Sequence, residues 1–539
     1  MNLRTTPTVT PTERPPDPTE KRTHRMRRTI ATAALTMGLA LATAATGAVA
    51  VTAPLQLADA RSADPGKPAG PPETSARRNL AVAQRVLDGR PAPADPSASM
   101  AMRELWLSAD GLPSTERRRA EALLARPTDG AGDPFGFGYS VPAVKRCARN
   151  VCVHYVTSTE DAPPGNRWVK QTLKQMQRVW RLETGRLGYR KPLKDGKLGG
   201  NSKFDVYLKD VGSVGLYGYC AAEKRIQRFL ASGYCVLDED FSRTQFPSSP
   251  KKSLKVTSAH EFFHAVQYAY DAEDDRWLLE ATATWMEERI ADGANDNRQY
   301  LPFGQVKNPY DPLDTGAGGA LNQYGNWAFF EFLTKKFGAG VVREIWNQMA
   351  ADKLSPDRYS TQAIVKVLAR RGGFTKVFSE YVAANTAPGK TYPEGGKWPS
   401  ATIAGSALLS KSARRSPRFT GTLLHLSSAN HTFKPAKSLR QKSWKLKVKI
   451  DGPSRKTSPA AYVLVDKKRG PDEKRFVKLN GKGKGTVKVG FSRRAVKKVT
   501  VTMVNASTRF RCFRQTSFSC EGVAKDDALP FSIKAVARK

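Results

Sequence analysis

Acidic residues are scarce in this 539-residue sequence, which has 49 Asp and Glu against 88 Lys and Arg and a formal net charge of +39. The shortage is greatest after residue 400, where 7 acidic residues face 33 basic ones. Such an excess indicates an anionic partner, for example an acidic cell-wall polymer, an anionic lipid surface or nucleic acid. The alternative is a solvated surface whose charges only repel one another.

Cysteine is also scarce, with six residues in the chain. None of them has the Cys-x-x-Cys spacing of a structural zinc site, and they are too scattered to build one four-ligand site. An even number of cysteines in short loops instead predicts disulfides formed in an oxidising compartment. The predicted pairs are Cys147 with Cys152, Cys220 with Cys235, and Cys512 with Cys520.

Only one long apolar run occurs, from Ile30 to Val51, and it follows a short basic stretch that includes Arg27 and Arg28. Ala48 and Ala50 form an A-x-A cleavage pattern. These features predict an N-terminal extension and signal peptide over residues 1–50, and therefore a secreted, extracellular protein. No other run approaches the roughly 18 apolar residues of a membrane-spanning helix, so we expect no stable membrane span after signal removal.

The rest of the chain changes character twice. Residues 51–135 combine helical spacing with Pro- and Gly-rich linkers and resemble a propeptide, although an attached N-terminal subdomain fits the same pattern. Residues 136–397 mix strand and helix patterns and predict an α+β domain. Residues 398–539 contain short alternating strands, such as Trp444 to Ile450, and predict an all-β, sandwich-like and strongly basic domain.

The segment His260-Glu261-Phe262-Phe263-His264 carries the clearest chemistry. Histidines at positions i and i+4 of a helix lie on one face, where two imidazoles can share a zinc ion. A glutamate next to the first histidine is placed to take a proton from a zinc-activated water. The alternative, two histidines that only pack a helix, is much less frequent for this pattern.

A catalytic zinc needs a third protein ligand and an open position. Gln267 and Tyr270 occupy the positions at which metzincins have Gly and His, so the three-histidine site of that class is excluded. Glu280 follows His264 with 15 residues between them, enough for a reversal and a return helix, and its apolar neighbours argue against a surface charge. A carboxylate favoured by a helix N-terminus is the alternative for Glu280.

Three further residues are weaker candidates. Glu287 and Glu288 fit a solvated helix face or a supporting role behind the ligands better than they fit the ligand set. His154 is predicted to be a structural residue of a strand.

The segments TSAHEFFHAVQYAYD and WLLEATATWMEE together resemble the gluzincin metallopeptidases, in particular a group of secreted bacterial metalloproteases. The second segment is also similar to a stretch of the M1-type aminopeptidases. The resemblance implies a zincin-like catalytic domain in which His260, His264 and Glu280 bind Zn²⁺ and Glu261 is the general base. It also implies that Tyr324 stabilises the oxyanion, for which simple packing of the phenol is the alternative.

These patterns predict a secreted zinc metallopeptidase that acts on protein or peptide substrates. The amine-binding, Gly-rich motif of aminopeptidases is not evident upstream of the histidines, which favours an endopeptidase. The alternative function is a non-catalytic surface protein that binds a cell-wall or other anionic polymer through its basic C-terminal domain. Specific nucleic-acid binding is not expected, because that domain lacks a base-reading motif.

Overall fold

A computed structural model describes residues 72–90, 97–129, 137–316 and 321–539. The predicted extension and signal peptide, residues 1–50, lie outside the described residues, as do the linkers at 91–96 and 130–136.

Eleven helices lie in the described ranges, and a six-residue π-helical turn, Arg181–Arg186, continues the fourth of them. The helices are α1 Pro72–Leu87, α2 Ala98–Ser108, α3 Ser114–Leu124, α4 Asn166–Trp180, α5 Pro250–Tyr268, α6 Arg276–Ala291, α7 Asn322–Gly325, α8 Trp327–Phe337, α9 Gly340–Met349, α10 Ser360–Ala369 and α11 Phe374–Ala384.

Five strands form the first sheet: β1 Val144–Cys147, β2 Val151–Tyr155, β3 Phe204–Lys209, β4 Gly218–Gln227 and β5 Leu230–Asp238. The strands of the C-terminal region are β6 Ile403–Leu409, β7 Phe419–Leu423, β8 Ser427–Pro435, β9 Lys445–Asp451, β10 Pro459–Lys467, β11 Glu473–Lys478, β12 Lys484–Gly490, β13 Val496–Asn505, β14 Phe510–Arg511, β15 Val523–Ala524 and β16 Leu529–Arg538. Helices with a mixed sheet are thus followed by a strand-rich region, as the sequence predicts.

The first sheet has the order β1-β2-β3-β5-β4, in which β2, β3 and β5 are parallel and β4 is an antiparallel edge strand. The central strands β2, β3 and β5 are buried on both faces because successive side chains alternate between two cores, whereas β1 is largely exposed. Val206 and Leu208 belong to the core shared with α4 and α5. Tyr207, between them, belongs to the core shared with α1, α2 and α3. The N-terminal helices therefore pack on the face of this sheet opposite to α4 and α5.

Helices α5 and α6 pack against each other beneath the sheet. Pro250 begins α5, where a residue without an amide hydrogen is tolerated. Apolar residues surround both helices, and their buried side chains include Phe262, Trp277 and Trp285. A helix that is apolar on all sides belongs in the centre of a protein, and these two form the centre of the main core.

The C-terminal region contains two facing sheets, β11-β10-β13-β8-β6 and β12-β9-β16-β7, with one core between them. Strand β9 follows the predicted alternation: Leu446, Val448 and Ile450 are buried, and Lys445 and Lys449 are exposed. The main core also reaches Leu426 and Val504 of this region, so the two regions belong to one compact unit, Pro54–Lys539.

All three predicted cysteine pairs are confirmed as disulfides. Cys220–Cys235 joins β4 to β5, and Cys512–Cys520 closes a loop of the C-terminal region. No helix within the described ranges has the length and apolar character needed to cross a membrane.

A buried charge cluster joins the two regions. The imidazole of His425 lies between two carboxylates, 2.9 Å from Asp314 and 2.6 Å from Asp527. Asp314 also accepts hydrogen bonds from the backbone and the hydroxyl of Ser519. Burial alone would lower the pKa of His425, but the charge of Asp314 and the hydrogen bonds to both aspartates outweigh it and raise the pKa to about 10.

This cluster predicts a pH-dependent stability. His425 has a higher pKa in the folded chain than the roughly 6.5 of an unfolded one, so its contribution is complete below about pH 6.5 and is lost as the pH rises towards 10. We expect His425→Asn to lower the free energy of unfolding by about 3 kcal/mol at pH 6. The difference from the wild type should shrink by pH 10, as measured by urea unfolding at several pH values.

His431→Asn is the matched control, because burial lowers the pKa of His431 to about 4 and its ring is neutral throughout this range. Its effect on stability should not change between pH 6 and pH 10. An equal loss for His425→Asn at pH 6 and pH 10 would contradict the predicted charge state.

Candidate metal centre

Helices α5 and α6 bring His260, His264 and Glu280 together, as the sequence predicts. One ligand atom from each residue lies within 4.8 Å of the others. Glu280 Oε2 is 3.2 Å from His260 Nε2 and 3.8 Å from His264 Nε2. Ligands bound at about 2.0–2.1 Å in a tetrahedron lie about 3.3 Å apart, so these separations fit one zinc ion between the three side chains.

His264 supplies the most direct sign of a ligand. The residue is fully buried, and its Nε2 atom has no hydrogen-bond partner among the described residues. Buried polar atoms without a partner are uncommon and need an explanation. Burial also lowers the pKa of His264 and favours the neutral imidazole that metals bind. Two nitrogens and one carboxylate oxygen are a donor set that zinc accepts.

Both histidines are held from behind by a second side chain. The Nδ1 atom of His264 is 2.7 Å from Gln267 Oε1, and Nδ1 of His260 is 2.8 Å from Glu287 Oε1. Such contacts fix the ring orientation and direct the Nε2 atom towards the metal. Glu287 is therefore a buried supporting residue and not part of a solvated face.

Gln267 also connects the two helices, because its Nε2 atom donates to Leu279 O at 2.9 Å and to Thr282 Oγ1 at 3.1 Å. One amide thus orients a histidine of α5 and holds the segment of α6 next to Glu280. The sequence analysis used Gln267 only to exclude a class of peptidase. Its position three residues after His264, on the same helix face, is the signal that would have identified it.

The Glu280 carboxyl is fully buried among these groups. Burial alone would raise its pKa, but electrostatic interactions with His264 and His260 and hydrogen bonds from His260 and Ser97 outweigh this and hold the pKa at about 2. The carboxylate is consequently charged under ordinary conditions, as a metal ligand must be. Burial raises the pKa of Glu287 to about 7, against the opposing effect of its hydrogen bond to His260.

Tyr324 lies beside the three side chains. Its ring stacks over His260 with the ring centroids 6.2 Å apart. It also stacks against the ring of Tyr300, at a centroid distance of 5.0 Å. Burial raises the pKa of the Tyr324 phenol well above its ordinary value, so the hydroxyl keeps its proton. The turn that carries it is set closely against residue 304, since a Cβ atom at Gly325 would collide with the Gly304 backbone.

Glu261 lies on the same helix as the histidines and is 8% exposed. Its Oε2 atom accepts a hydrogen bond of 2.7 Å from Ser99, and Glu280 Oε1 accepts one of 2.5 Å from Ser97. Both serines belong to the start of α2, more than 160 residues earlier in the chain. The sequence analysis missed them, and no local pattern in the sequence indicates these contacts.

Two of the three weaker candidates, His154 and Glu288, lie apart from this cluster. His154 is a buried residue of β2 whose Nε2 atom is 2.8 Å from Asp205, in keeping with the predicted structural role. Glu288 is buried and accepts a hydrogen bond from Asn297 at 2.9 Å.

No protein-family model matches this chain, and no curated protein is significantly similar to it in sequence. The function therefore has to be argued from the geometry of this centre.

Proposed function

We propose that the chain is a secreted zinc metallopeptidase of the gluzincin type, with a zincin-like catalytic region. The observation that carries the proposal is the convergence of His260, His264 and Glu280 around one point, with a buried, unpartnered Nε2 atom on His264. The ring of Tyr324 stacks over His260, and Glu261 is close enough to both histidines for its charge to act on their pKa values. These are the parts that hydrolysis by an activated water requires.

Zinc held by His260, His264 and Glu280 would supply Lewis acidity to a peptide carbonyl and to water. Glu261 then takes a proton from the attacking water and passes it to the leaving amine, as a general base that becomes a general acid. The Tyr324 hydroxyl donates a hydrogen bond to the oxyanion that forms on the carbonyl oxygen. Glu287 and Gln267 keep the two imidazoles oriented during this exchange.

The edge position of β4 supports an endopeptidase. An exposed edge offers unpaired backbone groups, to which an extended peptide can add as a further strand. Strand β4 pairs only with β5 in this sheet and contacts α5, the helix of the two histidines. A peptide bound along that edge would continue past the centre in both directions, as the substrate of an endopeptidase does.

Glu261→Gln tests this mechanism. The variant keeps the three ligands and should bind zinc as the wild type does, measured by elemental analysis. Because it cannot accept the proton, we expect its hydrolysis of casein to fall about 1,000-fold or more. His260→Ala should lose both the zinc and the activity.

Glu344→Gln, an exposed glutamate of α9, is the control and should leave zinc content and activity unchanged. An active, zinc-loaded Glu261→Gln protein would refute the mechanism. A wild-type protein that binds no zinc would favour the non-catalytic alternative.

The basic C-terminal region supports an anionic partner. On the outer face of one of its sheets, three pairs of cations lie directly opposite each other on neighbouring strands: Lys447 with Lys488, Lys449 with Lys534, and Lys445 with Arg538. Like charges at such positions destabilise a sheet. We propose that this cationic face binds an anionic cell-wall polymer and holds the enzyme near its substrate.

The triple variant Lys449→Gln, Lys488→Gln, Lys534→Gln tests this role, since all three side chains are exposed. We expect it to elute from immobilised polyphosphate at lower salt than the wild type, with unchanged hydrolysis of a neutral peptide, because fewer counterions are released. The control replaces Lys353, Lys366 and Lys376, which are exposed on the helical region, and has the same net charge. Equal elution of both triple variants would exclude the cationic face as the binding surface.

A further inference from the structure

The start of α2 lies on the candidate metal centre. Ser97 Oγ donates to Glu280, and Ser99 Oγ donates to Glu261, so one turn of chain contacts both the third ligand and the proposed general base. The Tyr324 phenol also hydrogen-bonds to Ser97. Three groups of the proposed centre, Glu261, Glu280 and Tyr324, therefore each make a hydrogen bond to a single N-terminal segment.

The same turn also occupies the edge of β4. The backbone amide of Cys220 donates to Ser99 Oγ at 2.9 Å. This is one of the edge groups with which an extended peptide would have to pair. Because Ser99 bonds simultaneously to this amide and to Glu261, it fills the space between the edge strand and the general base.

Burial agrees with this obstruction. His264 and Glu280 are fully buried, and His260 has a side chain only 12% exposed. A peptide carbonyl has to reach these groups directly for hydrolysis to occur. The N-terminal segment and a substrate consequently cannot occupy the centre together.

Several contacts anchor the segment. Arg103 of α2 is buried and donates from Nε to Ala272 O and from Nη2 to Asp274 O, the latter at 2.6 Å. Apolar residues of α1, α2 and α3 pack on Tyr219 and Tyr234 of the first sheet. The segment is thus docked by the sheet face and by the loop that precedes α6.

We propose that α1, α2 and α3, within residues 72–90 and 97–129, form an autoinhibitory segment whose Ser97–Ser99 turn blocks the metal centre, and that activation requires its displacement. The inference rests on the proposed peptidase function. It assigns the segment a regulatory role, in which the two serine hydroxyls hold the catalytic carboxylates in place of substrate. The competing role is a permanent one, in which the serines orient these carboxylates in the working enzyme.

Cutting the folded chain distinguishes the two roles. A recognition sequence for a specific protease, introduced between residues 130 and 136, allows the full chain to fold before the segment is separated. We expect cleavage followed by removal of the segment in mild urea to raise casein hydrolysis at least 10-fold, because the centre becomes accessible. Adding the purified segment back should restore inhibition. Unchanged or lower activity after verified removal would overturn the proposal.

A second measurement keeps this test independent of catalysis. In the Glu261→Gln background, the rate of zinc release to a chromogenic chelator should rise at least 10-fold when the segment is removed. Failure to bind zinc at all would count against the proposed function, whereas bound zinc with an unchanged release rate would count against autoinhibition alone. In the uncut chain, Arg103→Gln should increase the rate of casein hydrolysis and, in the Glu261→Gln background, the rate of zinc release. Arg85→Gln, at an exposed position of α1, should change neither rate.

A second cluster of carboxylates lies where β3 and β5 end side by side. Lys209, the last residue of β3, is in register with Asp238, the last residue of β5. Asp210 and Glu239 directly follow these two strands. Oxygen atoms of Asp210, Asp238 and Glu239 lie within 4.8 Å of one another. Asp238 is fully buried and Glu239 is 7% exposed. None of the described Lys, Arg or His side chains forms an ion pair with them.

Glu239 is the unusual member of this cluster. Its Oε2 atom is buried and has no hydrogen-bond partner among the described residues, and its carboxyl lies against that of Asp238. The oxygens of Asp238 already accept the amides of Gly212 and Phe241, both at 2.6 Å. Burial, followed by the charge of Asp238, raises the pKa of Glu239 to about 9. Three carboxyl groups therefore meet here without a partner among the described Lys, Arg and His side chains.

We infer that Asp210, Asp238 and Glu239 bind a calcium ion. All the donors are oxygens, which suits a hard cation, and Ca²⁺ accepts a flexible set of carboxylate ligands whereas Mg²⁺ demands a near-ideal octahedron. The ion would hold the ends of two parallel strands and the start of the loop that leads into α5. A proton shared between Asp238 and Glu239 is the competing explanation.

Calcium titration of the His260→Ala variant tests this site without interference from the metal centre. We expect millimolar Ca²⁺ to raise its melting temperature at pH 7 and to displace bound Tb³⁺, observed by luminescence. Adding Glu239→Gln should abolish the calcium-dependent rise in melting temperature and the Tb³⁺ displacement, and it should raise the melting temperature measured without calcium. Glu288 is also a buried glutamate, and adding Glu288→Gln should preserve both calcium effects. A calcium-independent melting temperature without Tb³⁺ binding would establish the shared proton instead.

Discussion

The contact between α5 and α6 is the interaction on which the candidate centre depends. His260 and His264 come from one helix and Glu280 from the other, and neither helix holds three ligands alone. The side chain of Gln267 joins them, because it contacts the imidazole of His264 on α5 and donates to the backbone carbonyl of Leu279 on α6. The large buried side chains of this pair, such as Phe262, Trp277 and Trp285, belong to the main core. The geometry of the centre is therefore a consequence of core packing as much as of the ligands themselves.

Buried negative charge is the second constraint. Glu261, Glu280 and Glu287 lie around two histidines, and Glu183, fully buried in the π-helical turn after α4, adds a fourth carboxyl whose pKa burial raises well above its ordinary value. Groups of this kind are costly unless a cation or a proton compensates them. A zinc ion at the proposed position would supply positive charge where the carboxylates converge. The serine hydroxyls of α2 meet part of the same need by donating hydrogen bonds.

Much of the fold could be predicted from local patterns. Helical periodicity around His260 and Trp277, strict alternation in β9 and the short cysteine loops all describe interactions between residues close together in sequence. The placement of Glu280 beside the histidines also follows from a short reversal between two helices. In these cases the physical cause lies within about 20 residues, and a sequence pattern reports it.

The remaining features depend on distant segments. Ser99 lies 162 residues before Glu261, and nothing in the sequence near either residue indicates their contact. The same holds for His425 and Asp314, which are 111 residues apart, and for the carboxylates that meet at the ends of β3 and β5. The contact of Glu287 with His260 requires that Glu287 lie on the face of α6 that packs against α5. Packing on all sides of α6 determines which face this is.

The disulfide-closed loop between Cys512 and Cys520 has a consequence for how such a protein could arise. Its end reaches back to the helical region, where the amide of Cys520 donates to Asp275, immediately before α6, and Ser519 donates to Asp314. The strand-rich region thus helps to fix the start of the helix that carries Glu280. A gene rearrangement that exchanged this region for another would disturb the proposed centre, so the two regions are expected to be inherited together and not shuffled as independent modules.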